Sequence, residues 1–284
     1  GRFVSIAEMT TGGAEESRIV WIASYPKSGS TWLRFILFQL IWAQEDVDAK
    51  IARAIPGVDD VAKSPDLIGG GVSLVQSHYQ YSEQHPYAGR SLGFLYILRD
   101  PLDTALSNYH YYLRRASLED NADRMRTYLD SYIRCKGDPD WIERGMGSWR
   151  DNLATWVNAR SRIPGIIVRY EDLHLDGQKV IRQVCDFLKL ERTDAQIADA
   201  IGRSSFDSMK NMEERAIHSR ADRSIFNKSH LAPSIQMGHR FMRSGKIGEA
   251  RKALPQDLRE ALEARFSEEM ETAGYPIVMD ESRD

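Results

Sequence analysis

Four short apolar runs rich in β-branched residues punctuate the chain, and each stops at a polar or turn-forming residue. Arg18 to Ser24 gives way to Tyr25-Pro26, and Val72 to Ser77 follows the triplet Gly69-Gly70-Gly71. Gly93 to Leu98 stops at Arg99, and Gly165 to Tyr170 stops at Glu171. Runs this short predict strands buried on both faces, as in a parallel sheet. Helical spacing fills the intervals. From Thr31 onward Trp32, Phe35, Ile36, Phe38, Ile41 and Trp42 recur without Gly or Pro. A second helix starts with Asp100 as N-cap and Pro101 at its first position and runs to about Ala116. A third spans Leu175 to Leu190 with Val180, Ile181, Val184, Phe187 and Leu188 on one face, and a last one spans Leu254 to Ala273. Between Leu118 and Arg160, helices carrying Tyr128, Tyr132, Trp141, Trp149 and Trp156 are expected to cover one side of the sheet. From Glu213 to Arg243 the apolar periodicity fades. The alternation predicts an α/β protein: a single domain over 18–284, with a central parallel sheet flanked by helices on both faces, after a flexible segment 1–17. No repeat, low-complexity tract or interdomain linker interrupts it.

Composition narrows the classes of partner. With 284 residues, 42% of them hydrophobic, the chain can bury a sizeable core, which excludes disorder as its main state. The 38 Lys and Arg against 41 Asp and Glu, net charge -3, give no global field for nucleic acid or an anionic membrane, so any anion site must be local. One local excess is visible: six Lys or Arg against one Asp between Arg215 and Arg243, a stretch that also carries His218, His230 and His239. Cys135 and Cys185 are too few for a disulfide framework and have no metal-ligand spacing, so a reducing compartment and no metal are expected. The apolar stretch Phe35 to Trp42 is far shorter than the roughly twenty residues of a bilayer span. Gly1 to Arg18 lacks a basic start followed by an apolar core, so no signal peptide is expected and the cytoplasm is the expected location.

The densest cluster of donors is Tyr25-Pro26-Lys27-Ser28-Gly29-Ser30-Thr31-Trp32, between the first strand and the first helix. Backbone N–H groups at a helix start, Ser and Thr hydroxyls and an adjacent ammonium form an anion cradle that the helix dipole strengthens. Gly29 lets the backbone come close. The nucleotide P-loop requires a glycine, four residues, then Gly-Lys-Ser/Thr. Here Lys27 precedes Gly29 and the earlier glycine is absent, which disfavours a triphosphate wrap. The bland alternative is a polar turn.

This string resembles the phosphosulfate-binding loop of the cytosolic-type sulfotransferases, which use 3'-phosphoadenosine 5'-phosphosulfate (PAPS). The resemblance covers roughly Arg18 to Arg251 and implies a fold built like a P-loop nucleotide kinase, with no metal. It implies that Lys27, Ser28, Gly29, Ser30, Thr31 and Trp32 hold the 5'-phosphosulfate and base. Arg99-Asp100-Pro101 through Ser107 is similar to the family's 3'-phosphate motif, with Arg99 at a strand end and Ser107 about two turns into the next helix. Alone, Arg-Asp-Pro is a capped turn. Val168 to Leu173 resembles a Tyr-Glu-Asp segment, which implies Tyr170 at the adenine. Ser204 to Asn211 resembles a Thr-Ser-Phe segment, which implies Ser205, Phe206 and Met209 there, with Phe206 and Trp32 as stacking partners. Taken singly, these aromatics read equally well as core. Phe241, Met242, Arg243, Ser244 and Gly245 resemble the start of an Arg-Lys-Gly motif that closes over the 3'-phosphate. The family usually has Lys at Ser244 and Asp-Trp at Glu249-Ala250. Gly147-Ser148-Trp149 with Trp156 also matches a family segment, here assigned to packing.

Sulfuryl transfer to a hydroxyl needs a base for the acceptor proton and stabilisation of the departing phosphate. The resemblance implies His78 as base, in Gln76-Ser77-His78 where the family has Lys-Thr-His, and an ordinary pKa of about 6.5 suits it. Without that parallel, a lone His after a strand reads as structural. Gln76 replaces a Lys that helps neutralise the transferring group, so more of that catalytic role falls to Lys27. His110 is the rival base and reads better as a pocket wall; His85 beside Pro86 reads as loop. Tyr79, Tyr81, Tyr109, Tyr111 and Tyr112 point to an aromatic or amphiphilic alcohol or phenol as small-molecule acceptor, or simply pack. Trp21 to Lys27 is similar to bacterial sulfotransferases that modify natural products. Two other readings stay open. A P-loop small-molecule kinase shares the strand, loop and helix, and a non-catalytic nucleotide-binding regulator would account for Gln76. The family's dimer motif is not recognisable, which leaves a homodimer open.

Overall fold

Strand β1 (Arg18–Ser24) pairs in parallel with β2 (Val72–Ser77) on one side and β3 (Ser91–Leu98) on the other, and β3 pairs in parallel with β4 (Gly165–Arg169). The sheet order is β2-β1-β3-β4. These relations come from a computed structural model that describes residues 18–44, 47–68, 71–219, 224–226 and 231–275. The expected flexible segment 1–17 and His230 lie outside the described residues. Because strand side chains alternate, Ile19, Trp21 and Ala23 join one core while Val20 and Ile22 join another. On β3, Phe94, Tyr96 and Leu98 enter the first core and Leu95 and Ile97 the second. Both faces are thus buried, as the apolar runs predict.

Helices α4 (Pro101–Ala116), α5 (Ala122–Cys135), α7 (Trp149–Ala159) and α14 (Gln256–Thr272) close the first face, with Leu102, Leu129, Trp149, Trp156, Leu262 and Phe266 inside it. The short α6 (Pro139–Glu143) lies between α5 and α7 in the chain. Trp149 and Trp156 are buried packing residues, as expected from the sequence. Helices α1 (Ser30–Trp42), α9 (Gly177–Leu188) and α10 (Asp194–Arg203) close the second face through Phe35, Ile36, Ile181, Val184 and Ile197. Asp100 caps α4 by accepting from the Leu102 N–H at 2.8 Å.

Several elements differ from the sequence reading. Tyr170 does not end β4; it opens the short α8 (Tyr170–Leu175), whose first turn carries Glu171 and Asp172 where the helix dipole favours acids. Helices α2 (Val47–Ala54) and α3 (Val58–Lys63) were not anticipated, because each buries only two residues and is too short to display a period. Helix α10 was missed although Thr193 and Gln196 form a capping box legible as Thr-x-x-Gln. Helix α11 (Phe206–Ser219) runs straight through Glu213, where periodicity fades because that buried face includes a carboxylate beside Met209 and Ala216. Two further short helices, α12 (Ala232–Gln236) and α13 (Ala250–Ala253), complete the described chain.

The carboxyl ends of β1 and β3 sit side by side where chain order departs in opposite directions, the position at which open α/β sheets bind ligands. Phe94, fully buried with its ring centroid 5.3 Å from that of Trp156, ties β3 to α7 beneath this edge. Phe94→Ala is expected to cost about 3–5 kcal/mol, seen in equilibrium urea unfolding as a lower midpoint with an unchanged slope.

Candidate active site

The turn after β1 is held in an unusual backbone shape. Lys27 has φ 70° and Gly29 φ 104°, and Gly29 caps α1 without any side-chain hydrogen bond to the helix start. The Tyr170 ring edge crowds Gly29, so a Cβ there would fall 2.5 Å from the ring, and the positive φ adds its own demand for glycine. The N–H groups of Ser30 and Thr31, in the first turn of α1, have no carbonyl of the helix behind them. They open on a cavity of about 1870 Å³ that also exposes Pro26, Lys27, Gly29 and Trp32. Ser28 is the exception to the expected cradle: it is buried, does not line the cavity, and its Oγ has no hydrogen-bond partner among the described residues.

Lys27 is enclosed by rings and cations. Its Nζ stands 4.5 Å from the centroid of Tyr111 and 3.9 Å from that of Phe241. No carboxylate among the described residues lies within ion-pair distance. Desolvation, then repulsion from Arg114 and Arg99, pull its pKa down to about 7. Arg99 extends from the end of β3, donates to the carbonyls of Lys27 at 3.4 Å and Lys246 at 3.0 Å, and stacks 4.3 Å over Tyr170. Its Nε and the Trp32 Nε1 are both buried with no hydrogen-bond partner among the described residues. Unsatisfied donors cost free energy when buried, so their convergence on one cavity fits a site for an anionic, ring-bearing ligand.

The cavity brings together the sequence-predicted Arg99, Ser107, Tyr170, Ser205, Phe206 and Met209 with Phe241, Met242, Arg243, Ser244 and Gly245. The last five form a strap tied down by two carboxylates. Glu213 accepts from the N–H groups of Phe241 at 2.6 Å and Met242 at 2.8 Å, and Asp103 accepts from those of Gly248 at 2.7 Å and Ala250 at 2.8 Å. The Tyr170 hydroxyl donates to the Gly245 carbonyl at 2.9 Å, and Phe206 packs against the bare Cα of Gly245. Arg243 is not free: its guanidinium forks onto Glu249 at 2.7 and 2.6 Å. Burial alone would raise the Glu249 pKa, but the hydrogen bond from Arg243 leaves it below the usual carboxylate range.

His78 lies on the same cavity wall, past the end of β2. Its Nδ1 donates to the Ser24 carbonyl at 2.8 Å, which leaves Nε2 unprotonated, and Gln76 Nε2 donates to that lone pair at 2.6 Å. Desolvation lowers the His78 pKa to about 4. His110 does not line the cavity. His85 is in a loop, as expected, but it is buried there between Ser77 Oγ and the Pro86 carbonyl, at 2.8 and 3.0 Å. Of the five tyrosines expected to shape an acceptor pocket, Tyr111 alone lines the cavity. Tyr79 and Tyr81 pack around His85, and Tyr109 and Tyr112 around Tyr128.

Sequence reasoning missed Arg114 and Arg34. Arg114 donates to the Phe226 carbonyl at 2.7 Å and sits 3.9 Å from Glu213, bracing the strap. Arg34 is the single charge in the thirteen residues of α1, a signal that was available and unused.

The family model for the sulfotransferase domain matches residues 17–274. Sulfotransferase 2A6 of Rattus norvegicus is 25% identical over 266 residues, covering 90% of this chain and 84% of the relative. A 3-alpha-hydroxysteroid sulfotransferase of Cavia porcellus is 25% identical over 271 residues, covering 89% and 83%. Mouse sulfotransferase SULT7A1, solved in complex with PAP, superposes with a TM-score of 0.63 at 20% identity, covering 95% of this chain and 89% of that one.

The loop geometry carries its own test. Gly29→Ala forces both the strained φ and the contact with Tyr170, and is expected to lower stability by about 1–3 kcal/mol in urea unfolding.

Proposed function

Because the chain belongs to the sulfotransferase family, we propose that it moves the sulfuryl group of PAPS to a hydroxyl of a small molecule, with His78 as general base and Lys27 at the leaving phosphate. The carrying observation is the placement of His78, its Nε2 held unprotonated on the wall of the cavity that also receives Lys27 and the uncapped start of α1. The donor, when bound, supplies the sulfuryl group and a phosphate leaving group. The unpartnered Arg99 Nε and Trp32 Nε1 fit its phosphate and ring. The N–H groups of Ser30 and Thr31 would hold the 5' side, with Arg99, Ser107 and Arg243 on the 3'-phosphate and Tyr170, Ser205, Phe206 and Met209 around the adenine. His78 Nε2 takes the acceptor proton as the new O–S bond forms, and Lys27 meets the charge that collects on the departing oxygen.

Among the described residues no helix is long and apolar enough to cross a membrane. The cytoplasm is the compartment this reading assigns, and the free thiols of Cys135 and Cys185 support it.

The two pKa values set a pH window. A base is lost as it protonates, so turnover falls as pH drops toward about 4, where His78 takes its proton. Lys27 acts as a cation, so in the free enzyme kcat/KM for PAPS falls as pH rises through about 7. His78→Ala is expected to cut kcat by about 10²–10⁴-fold while calorimetric PAP binding is retained; an active variant would remove His78 as base. Glu249→Gln should release the Arg243 fork and tighten PAP by about threefold to tenfold in the same titration.

A further inference from the structure

The cavity is more cationic than one donor explains. Seven Lys or Arg line it (Lys27, Arg34, Arg53, Lys63, Arg99, Arg114 and Arg243), against Asp60 as the one carboxylate among the described lining residues. A doubly phosphorylated nucleotide accounts for Lys27, Arg99 and Arg243, and Glu213 neighbours Arg114. Arg34, Arg53 and Lys63 remain, all on the α1, α2 and α3 side.

Arg34 is the informative one. It is 8% exposed, so its guanidinium is almost wholly removed from water, yet it has no ion-pair partner among the described residues. Its Nη2 donates to the Ile55 carbonyl at 2.5 Å, and its Nε is buried with no hydrogen-bond partner among the described residues. A guanidinium has five N–H donors, and a buried cation left in this state is unfavourable unless something completes it. Burial lowers its pKa to about 10 against the opposing pull of the Asp60 carboxylate, which acts on Arg34 without reaching ion-pair distance. Its location fixes which side of the reaction it serves. Ile55 precedes Pro56, whose carbonyl accepts from the Gln76 N–H at 2.8 Å, two residues before His78. The charge of Arg34 helps depress His78 but is not among the leading influences on Lys27, which feels Arg114, Arg99, Glu213 and Arg243. Arg34 therefore faces the acceptor side.

Resting on the sulfotransferase reading, we propose that the acceptor is a hydroxyl compound bearing an anionic group, and that Arg34 selects it by seating that group while the hydroxyl meets His78. Arg53 and Lys63, exposed on the same wall, draw the anion in.

The probes are 4-hydroxyphenylacetate, its uncharged isostere 4-hydroxyphenylacetamide and (4-hydroxybenzyl)phosphonate, each with PAPS. The two anions differ in charge, so the larger preference over the amide tells carboxylate from phosphate. Wild-type kcat/KM for at least one anion is expected to exceed that for the amide by tenfold or more, mainly through KM. Arg34→Gln should bring this ratio close to one, and Arg34→Lys, which keeps the charge and loses the fork, should retain part of it. Equal wild-type ratios would overturn the proposal. So would an Arg34→Gln variant that slows all three probes alike through kcat with the ratio intact, because Arg34 would then act on the sulfuryl group. If Arg34→Gln does not fold, Arg34→Lys and the wild-type ratio decide. If no probe turns over, calorimetric affinities of the probes for the PAP-loaded protein are compared by the same criteria. Wild-type protein that does not bind PAP would instead strike down the sulfotransferase reading, and this proposal with it.

Discussion

The structure depends on keeping a lysine ammonium in a dry place without giving it a carboxylate. Lys27 sits between two aromatic rings with Arg99 and Arg114 as near neighbours, and only the more distant charge of Glu213 opposes their repulsion. Two buried acids lie close by, Asp103 and Glu213, and either could have quenched the site. Both instead accept from backbone N–H groups, Phe241 and Met242 of the strap for Glu213 and Gly248 and Ala250 just after it for Asp103, and each lies 3.9 Å from an arginine, Arg114 and Arg99 respectively. The same bonds that close the strap over the cavity therefore hold the acids away from Lys27. Burial raises the Asp103 pKa, and the two N–H donors offset part of that rise.

One helix organises this division of charge. Along α4, Asp103, Ser107 and Tyr111 recur every fourth residue and Arg114 follows three later, which places them on one stripe. That stripe supplies the acid for the strap, a hydroxyl and a ring for the cavity, and the cation beside Glu213. The other stripe, with Leu102, Leu106, Tyr109 and Leu113, is buried. Asp100 and Pro101 set where α4 begins, so an ordinary capping signal fixes the rotation of the whole stripe relative to Arg99.

This explains what could be read from the chain alone. The strands were legible because both faces of the sheet are apolar, and the cradle because Lys27 to Trp32 concentrate donors at a helix start. Where burial and polarity coincide, the pattern misleads. Glu213 interrupts the apolar face of α11 because its carboxylate is part of the strap, and Arg34 hides in a helix that otherwise reads as core. For the aromatics around Tyr79 and Tyr109 the sequence left two readings open, a ligand wall or packing, and they pack around His85 and Tyr128. The fork between Arg243 and Glu249 was out of reach, since spacing shows that the two can meet and not that they do.

Gln76 shapes the surroundings of His78, the proposed base. A lysine at this position would place another cation beside His78, which already carries repulsion from Lys27 and Arg34. The neutral amide instead donates to His78 Nε2, so the lone pair is occupied by a donor before any acceptor enters. In the proposed reaction an incoming hydroxyl, also a donor, would replace the amide on the same lone pair with the Nδ1 tautomer unchanged, still pinned by the Ser24 carbonyl. The exchange needs no proton to move until the reaction itself. What the amide could not do is neutralise charge on the transferring group, and the proposed mechanism gives that work to Lys27, which has no carboxylate within ion-pair distance among the described residues.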